Sequence, residues 1–243
     1  MTNRSVKLSE FVPLAEKDDQ VLCRYMELEY FILMLKTGKL YAKRKRFYND
    51  SFEKCPPMDA AYRLAPSGDN TSPQPGLEER RKSIDNKYAE WAAMPTSCWT
   101  LDTKNNYLMW KAYAPHLGIR ITSSINRFIS SIMDGIDFQR NKCTIHLGQM
   151  DYGGLCKEEQ TGFWKEHSYR DEKEYRFYFE IEGDSCNARE CSGIKGIHIP
   201  MNMATLIESI TISPFINHIT AQEIERFLKC RFDIKKVTPI KLR

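Results

Sequence analysis

Leu28, Phe31, Ile32 and Leu35 recur at the spacing of one helical face, which predicts a helix over Leu28–Lys36. Gly38 follows as its C-terminal cap, because glycine enters the left-handed region without a steric penalty. The runs on either side, Val21–Met26 and Lys39–Phe47, read as strands, so the chain opens strand, helix, strand. Farther along, Ile84, Tyr88 and Trp91 stripe a helix over Leu77–Met94, and Tyr107, Trp110 and Ala114 stripe another that Pro115 ends. Ile125, Phe128, Ile129 and Ile132 mark a third, with Ser124 as its N-cap. Thr220-Ala-Gln-Glu223 has the form of a capping box, with Ile219 and Ile224 as its hydrophobic staple, and predicts the start of the last helix.

Strands are predicted at Ser97–Leu101, Gly118–Thr122, Cys143–Leu147, Ile194–Ile199 and Ser209–Ser213. The most regular is Glu174–Glu182, where Tyr175, Phe177, Phe179 and Ile181 share one face. Glu174, Arg176, Tyr178, Glu180 and Glu182 share the other, which reads as a solvated polar face. Strands and helices do not alternate as they do in a doubly wound sheet. The fold class is therefore α+β, with mixed, mainly antiparallel sheets and flanking amphipathic helices. The turn-rich stretch Pro66–Gly76 cannot bury a face. With the helix after it, it reads as a loop-helix insertion at about 55–94 in a single domain covering 1–243.

Hydrophobic residues make up 42% of the chain, enough to build a core and to exclude general disorder. A net charge of +4 permits a nucleotide or nucleic-acid partner without requiring one. The amino terminus lacks the apolar core of a signal peptide, and no apolar run approaches the ~18 residues that span a bilayer. With cysteines scattered rather than framed, the sequence reads as a cytoplasmic protein with reduced thiols and no membrane partner. Cys186, Cys191 and His198 come nearest to zinc spacing but offer neither tight pairs nor a fourth ligand, so no metal is expected.

Charge crowds from Arg170 to Arg176. Glu172 and Glu174, at i and i+2 of an extended segment, point the same way and are the candidate catalytic pair. One carboxylate could hold a substrate hydroxyl while the other steadies a developing cation or acts as a base. The same charges would also serve a solvated face with weak cross-strand ion pairs. Arg24, inside an apolar strand, needs a partner, either a phosphate gripped bidentately or a structural carboxylate. Ser97 and Thr100 could orient a ligand or satisfy neighbouring backbone groups. The basic tract Lys43–Arg46, flanked by Tyr41, Phe47 and Tyr48, suits a nucleic-acid backbone and its bases, or a strand edge guarded by charge. Asn49, Asp50, Glu53, His116 and Arg176 make a second candidate cluster, with His116 as a loop base or ligand. No Ser-His-Asp or Cys-His ordering and no phosphate-cradling glycine loop accompanies them.

Four segments carry a resemblance to a bacterial and phage family named Domain of Unknown Function 2971. They are Gly38–Glu53 (GKLYAKRKRFYNDSFE), Cys98–Ile121 (CWTLDTKNNYLMWKAYAPHLGIRI), Phe163–Phe177 (FWKEHSYRDEKEYRF) and Ser209–Ile216 (SITISPFI). Ser51 stands where that family usually has proline, and Pro66–Gly76 is expanded. A second, weaker resemblance is to the ADP-ribosyltransferase superfamily, in the order Arg24, Ser97 or Thr100, then Glu172-Lys-Glu174. That likeness implies a split β-sandwich and an enzyme using NAD as co-substrate. It also implies Arg24 on the dinucleotide phosphates, Ser97 or Thr100 orienting the site, and a glutamate on the ribose hydroxyl that favours departure of nicotinamide. A transferase or glycohydrolase of phage–host conflict, with a nucleic-acid or protein acceptor, is the function so implied. A non-enzymatic nucleic-acid or protein-binding module on Lys43–Arg46 is the alternative, and a metal-free nuclease built on Asp50, Glu53 and Glu174 is a third reading.

Overall fold

The computed structural model describes residues 3–49, 77–135, 143–153, 162–182 and 194–239. In chain order the strands begin with β1 (Arg4–Lys7), β2 (Val21–Glu27), β3 (Lys39–Arg44), β4 (Pro95–Thr100), β5 (Gly118–Ser124) and β6 (Cys143–Gln149). They continue with β7 (Asp151–Tyr152), β8 (Trp164–Lys165), β9 (Glu174–Ile181), β10 (Gly196–Pro200), β11 (Ser209–Ile212) and β12 (Val237–Pro239). The helices are α1 (Leu28–Thr37), α2 (Leu77–Ala93), α3 (Tyr107–Tyr113), α4 (Ile125–Met133), α5 (Met203–Leu206) and α6 (His218–Phe232). The class is α+β and the strand pairing is mainly antiparallel, as the patterning predicts. The chain forms two compact units, each assembled from three separate segments.

The first unit consists of Met1–Lys7, Ala42–Ser97 and Cys143–Ile197. Its core ladder is β6 against β9, antiparallel from Cys143↔Ile181 to Gln149↔Tyr175, with β1 antiparallel on the other edge of β6. Phe177, Phe179, Ile145 and Leu147 are all buried and share one sheet face. On the opposite face, α2 brings Trp91 against Phe163 and Tyr178, at ring-centroid separations of 5.4 and 4.8 Å. Such edge-to-face contacts suit the aromatic quadrupoles. The short parallel pair β7–β8 completes this side.

The second unit consists of Leu8–Tyr41, Cys98–Lys142 and His198–Arg243. Here β2 and β5 run antiparallel from Val21↔Ser124 to Glu27↔Gly118, β11 pairs antiparallel with β5, and β12 pairs parallel with β11. Leu22, Met26, Ile119, Ile121, Ile210 and Ile212 make the apolar face, packed by α1 and α4. Gly38 does end α1 in the left-handed region (φ 62°), its N–H donating to the Met34 carbonyl at 2.9 Å. Ser124 does cap α4 by accepting from the Arg127 N–H at 3.2 Å. On the other face Tyr25 meets Met109, Trp110 and Ala114. Gly118 permits that approach, since a Cβ there would sit 2.7 Å from the Ala114 carbonyl oxygen.

Two local expectations change. The last helix starts at His218, not after Thr220, because the Asn217 side chain accepts the Thr220 N–H at 2.9 Å and so caps three residues earlier. Ile219 consequently lies inside the helix, 74% exposed, and is no staple. The strand expected over Lys39–Phe47 stops at Arg44, and Lys45–Phe47 is a 3-10 turn.

Candidate functional site

Alternation along β9 sets Glu174, Arg176 and Tyr178 on one face, and that face is internal. Trp91, Met150, Tyr152 and Phe163 cover it, so the solvated polar face expected from the sequence is corrected as far as Tyr178. Charges placed there must be matched. Arg176, fully buried, grips Glu174 with both arms of its fork: Nε to Oε1 at 2.5 Å and Nη2 to Oε2 at 3.0 Å. Lys165, from β8, donates to Glu174 Oε2 at 3.1 Å and to Glu172 Oε2 at 2.6 Å. Its ammonium also stands 4.2 Å from the Tyr169 ring centroid.

Tyrosines close the network. The Tyr178 hydroxyl accepts from Arg176 Nη1 at 3.3 Å and donates to the Gly162 carbonyl. The Tyr152 hydroxyl accepts the Glu174 N–H at 2.6 Å. Burial pushes the Tyr152 phenol well above the usual range; the Glu174 and Glu172 charges add to this, while the Glu174 N–H and Lys165 oppose it. Tyr152 therefore stays a neutral hydroxyl at physiological pH and is no base.

The two glutamates are not equivalent. Glu172 ends the 3-10 turn His167–Glu172, and Lys173 follows in the left-handed region (φ 45°). The i, i+2 parity of an extended segment therefore does not apply to them, yet both carboxylates reach the same ammonium. The Glu174 side chain keeps 6% of its accessibility and Glu172 keeps 19%. Glu172 is the member of the pair that solvent reaches.

The remaining candidates do not gather around this centre. Arg24 lies in the second unit, half-buried, with its guanidinium carbon 5.9 Å from the Trp99 ring centroid. Thr100 pairs directly with Cys23, the neighbour of Arg24, and so faces the opposite side of the sheet from Arg24. Its hydroxyl accepts the Asp102 N–H at 3.0 Å. Ser97 is fully buried in the first unit. Of the second cluster, Asp50 and Glu53 lie outside the described residues and Asn49 is exposed in the first unit. His116 is in the second unit, on a turn whose His116 and Leu117 N–H groups donate to Glu27 at 3.0 and 2.9 Å, and Arg176 belongs to the buried network.

The basic tract is also not a solvated stripe. Arg44 is buried, donating to the Ala93 carbonyl, and Lys45 is buried with its ammonium 4.6 Å from the Tyr88 ring centroid. Burial and the Arg44 charge hold the Arg46 guanidinium below its ordinary pKa.

Lys165, Tyr152 and Tyr178 are central here and carried no sequence signal beyond Tyr178's parity with Glu174. Among the described residues, no three His, Cys, Asp or Glu side chains gather as a metal site, and no helix is long and apolar enough to cross a membrane. The zinc candidates Cys186 and Cys191 lie outside the described residues. Comparison with family models, curated proteins and solved structures found no match.

Proposed function

We propose that the first unit's glutamate pair cleaves the bond between nicotinamide and ribose in a nicotinamide adenine dinucleotide, passing the ADP-ribosyl group to water or to an acceptor. The observation that carries this reading is the convergence of Glu172 and Glu174 on the Lys165 ammonium, one carboxylate buried and one reachable. Glu174, matched by Arg176 in a bidentate pair, is the fixed member that holds Lys165 in place. Lys165 in turn fixes Glu172, whose carboxylate binds a ribose hydroxyl and shelters the positive charge growing at the anomeric carbon. Fixed charge of this kind stabilises a transition state because it needs no reorganisation when the bond breaks. The electron pair of that bond leaves with nicotinamide, and water or an acceptor hydroxyl adds to the sugar and loses its proton.

Roles implied for Arg24, Ser97 and Thr100 by the superfamily likeness form no part of this reading, which rests on the first unit alone. The alternative, a binding module on Lys43–Arg46, draws no support from a tract with Arg44 and Lys45 buried. The test is nicotinamide release from the dinucleotide, followed chromatographically, with protein and nucleic-acid acceptors added. Glu172→Gln abolishes release while leaving the circular dichroism spectrum intact. Absence of release under every acceptor condition, or release indifferent to Glu172→Gln, overturns the proposal.

A further inference from the structure

The polar face of β9 does not end at Tyr178. Beyond the Trp91 indole it emerges at Glu180, and the register carries it across two neighbouring strands. Thr144 stands opposite Glu180, His146 opposite Tyr178, and Ser5 of β1 opposite His146, all on the same side of the sheet. Ser5 Oγ lies 2.7 Å from His146 Nδ1, and His146 Nε2 lies 3.0 Å from Glu180 Oε2. Trp91 braces the imidazole edge-on, with ring centroids 5.3 Å apart. Ser5 is exposed.

The chemistry of these groups sets their direction. An ionised carboxylate only accepts, so the proton of a neutral His146 sits on Nε2 facing Glu180. Nδ1 then presents its lone pair to the Ser5 hydroxyl, which donates to it. That is the polarity of a serine with an adjacent general base and a carboxylate orienting that base. We propose that Ser5 is a nucleophile activated by His146, with Glu180 as a positioning residue, and that it takes acyl groups from carboxylic esters. The inference is independent of the glycosidic reading, since it uses none of Glu172, Glu174 and Lys165.

In the first step Ser5 Oγ bonds to the ester carbonyl carbon and its proton passes to His146 Nδ1. The carbon–oxygen bond to the leaving group then breaks, and the departing oxygen takes that proton. In the second step water adds to the acyl-serine, giving its proton to His146. Collapse breaks the bond to Ser5 Oγ, which recovers the proton and releases the acid. The sum is ester plus water giving acid plus alcohol. Lys7 shares this face of β1 two residues on, opposite Thr144, and brings a positive charge to the same side of the sheet as Ser5.

The experiment is acylation of the whole chain by p-nitrophenyl acetate, read as p-nitrophenolate release and as acetyl-Ser5 by peptide mass spectrometry. A fluorophosphonate serves as the second probe. The wild type is modified at Ser5, Ser5→Ala is not modified in that peptide, and His146→Gln slows Ser5 modification by roughly 100-fold, the lower end for loss of a general base. Glu180, largely exposed, gives a variant that keeps the fold; Glu180→Gln slows the reaction and Glu180→Asp restores part of it, which a purely structural role would not do. No adduct at Ser5, or an adduct formed at the same rate in His146→Gln and Glu180→Gln, overturns the proposal.

Discussion

Arg176→Met is the sharpest probe of how the first unit is held together. The substitution keeps an unbranched apolar stem in place and removes only the fork. It deprives the Glu174 carboxylate of its contacts at 2.5 and 3.0 Å while leaving Lys165 on Oε2 at 3.1 Å. Breaking a buried pair from one side costs about 3–5 kcal/mol, because the surviving charge stays buried and unmatched. The remaining Lys165 contact places this case at the lower end, about 3 kcal/mol. For a chain of this size each kcal/mol moves the melting temperature by about 2–4 °C, so the expected fall is roughly 6–12 °C. Calorimetry and urea unfolding measure it. Glu174→Gln combined with Arg176→Met loses less than the two single changes added together, with a coupling of at least ~1 kcal/mol, since the double variant leaves no unmatched charge between the two positions. The exposed pair Lys87–Glu90, 3.4 Å apart, supplies the contrast: Lys87→Met costs no more than ~0.5 kcal/mol. If Arg176→Met costs no more than Lys87→Met, or if the double variant is additive, the buried network is not what fixes this face.

The other expectations are narrower. Asn217→Ala destabilises α6 by about 1 kcal/mol in urea unfolding, whereas Thr220→Ala changes little, because Asn217 and not Thr220 supplies the capping oxygen. Tyr175 is held neutral by burial, its pKa raised to about 12 against an ordinary 10.0, with the Arg4 charge opposing. A raised folded value means stability that is complete below pH ~10 and is lost as pH climbs towards ~12, by about 2–3 kcal/mol; stability curves across that window, with tyrosinate absorbance alongside, measure it, and Tyr175→Phe flattens the slope. Among the described thiols Cys230 is exposed, while Cys143 is buried with its pKa raised to about 11 by burial and the Glu180 charge. Iodoacetamide at pH 8 therefore labels Cys230 well before Cys143 in the native protein, and equal rates by mass spectrometry refute the assignment.

The helices with strong stripes were legible because their periodicity reports local geometry directly. Phe31 of α1 and Phe128, Ile129 and Ile132 of α4 are all buried, where their spacing puts them. The strand β9 was legible for the same reason, down to which residues share a face. Its environment was not. Whether this face meets water depends on Trp91, Met150, Tyr152 and Phe163, residues far from β9 in sequence or outside any strand pattern, and alternation carries no information about what is laid over a face. Lys165 was invisible on similar grounds: it sits on a two-residue strand, too short to leave a periodic signal, and its ion-pair partners are two carboxylates several residues later. The last helix shows the opposite failure, a motif that matched too well. Thr220 and Glu223 have capping-box spacing, but Asn217 is an equally good capping residue one turn earlier, and a helix begins where its first unsatisfied N–H groups find an acceptor.

The same reasoning explains why one strand face holds two separate polar clusters. A polar side of a sheet can be closed by pairing every charge or left open to solvent, and Trp91 marks the change from one to the other. On its Tyr178 side, Arg176, Glu174 and Lys165 pair with one another under aromatic cover, and Glu172 at the margin is the more accessible of the two carboxylates. On its His146 side, Glu180 and Ser5 stand at the surface, so a hydrogen-bonded chain of similar length stays open to solvent. Trp91→Ala should therefore act on both sides at once. It removes the indole that braces His146 and the ring that covers Tyr178. A truncation of this kind costs up to about 3–5 kcal/mol where the ring is well packed. Trp91→Phe keeps an aromatic face over Tyr178 but is too short to reach both rings. If the indole holds the imidazole in position, Trp91→Phe lowers Ser5 acylation more than it lowers stability. Equal loss of both in Trp91→Phe and Trp91→Ala would mean that the ring only fills space.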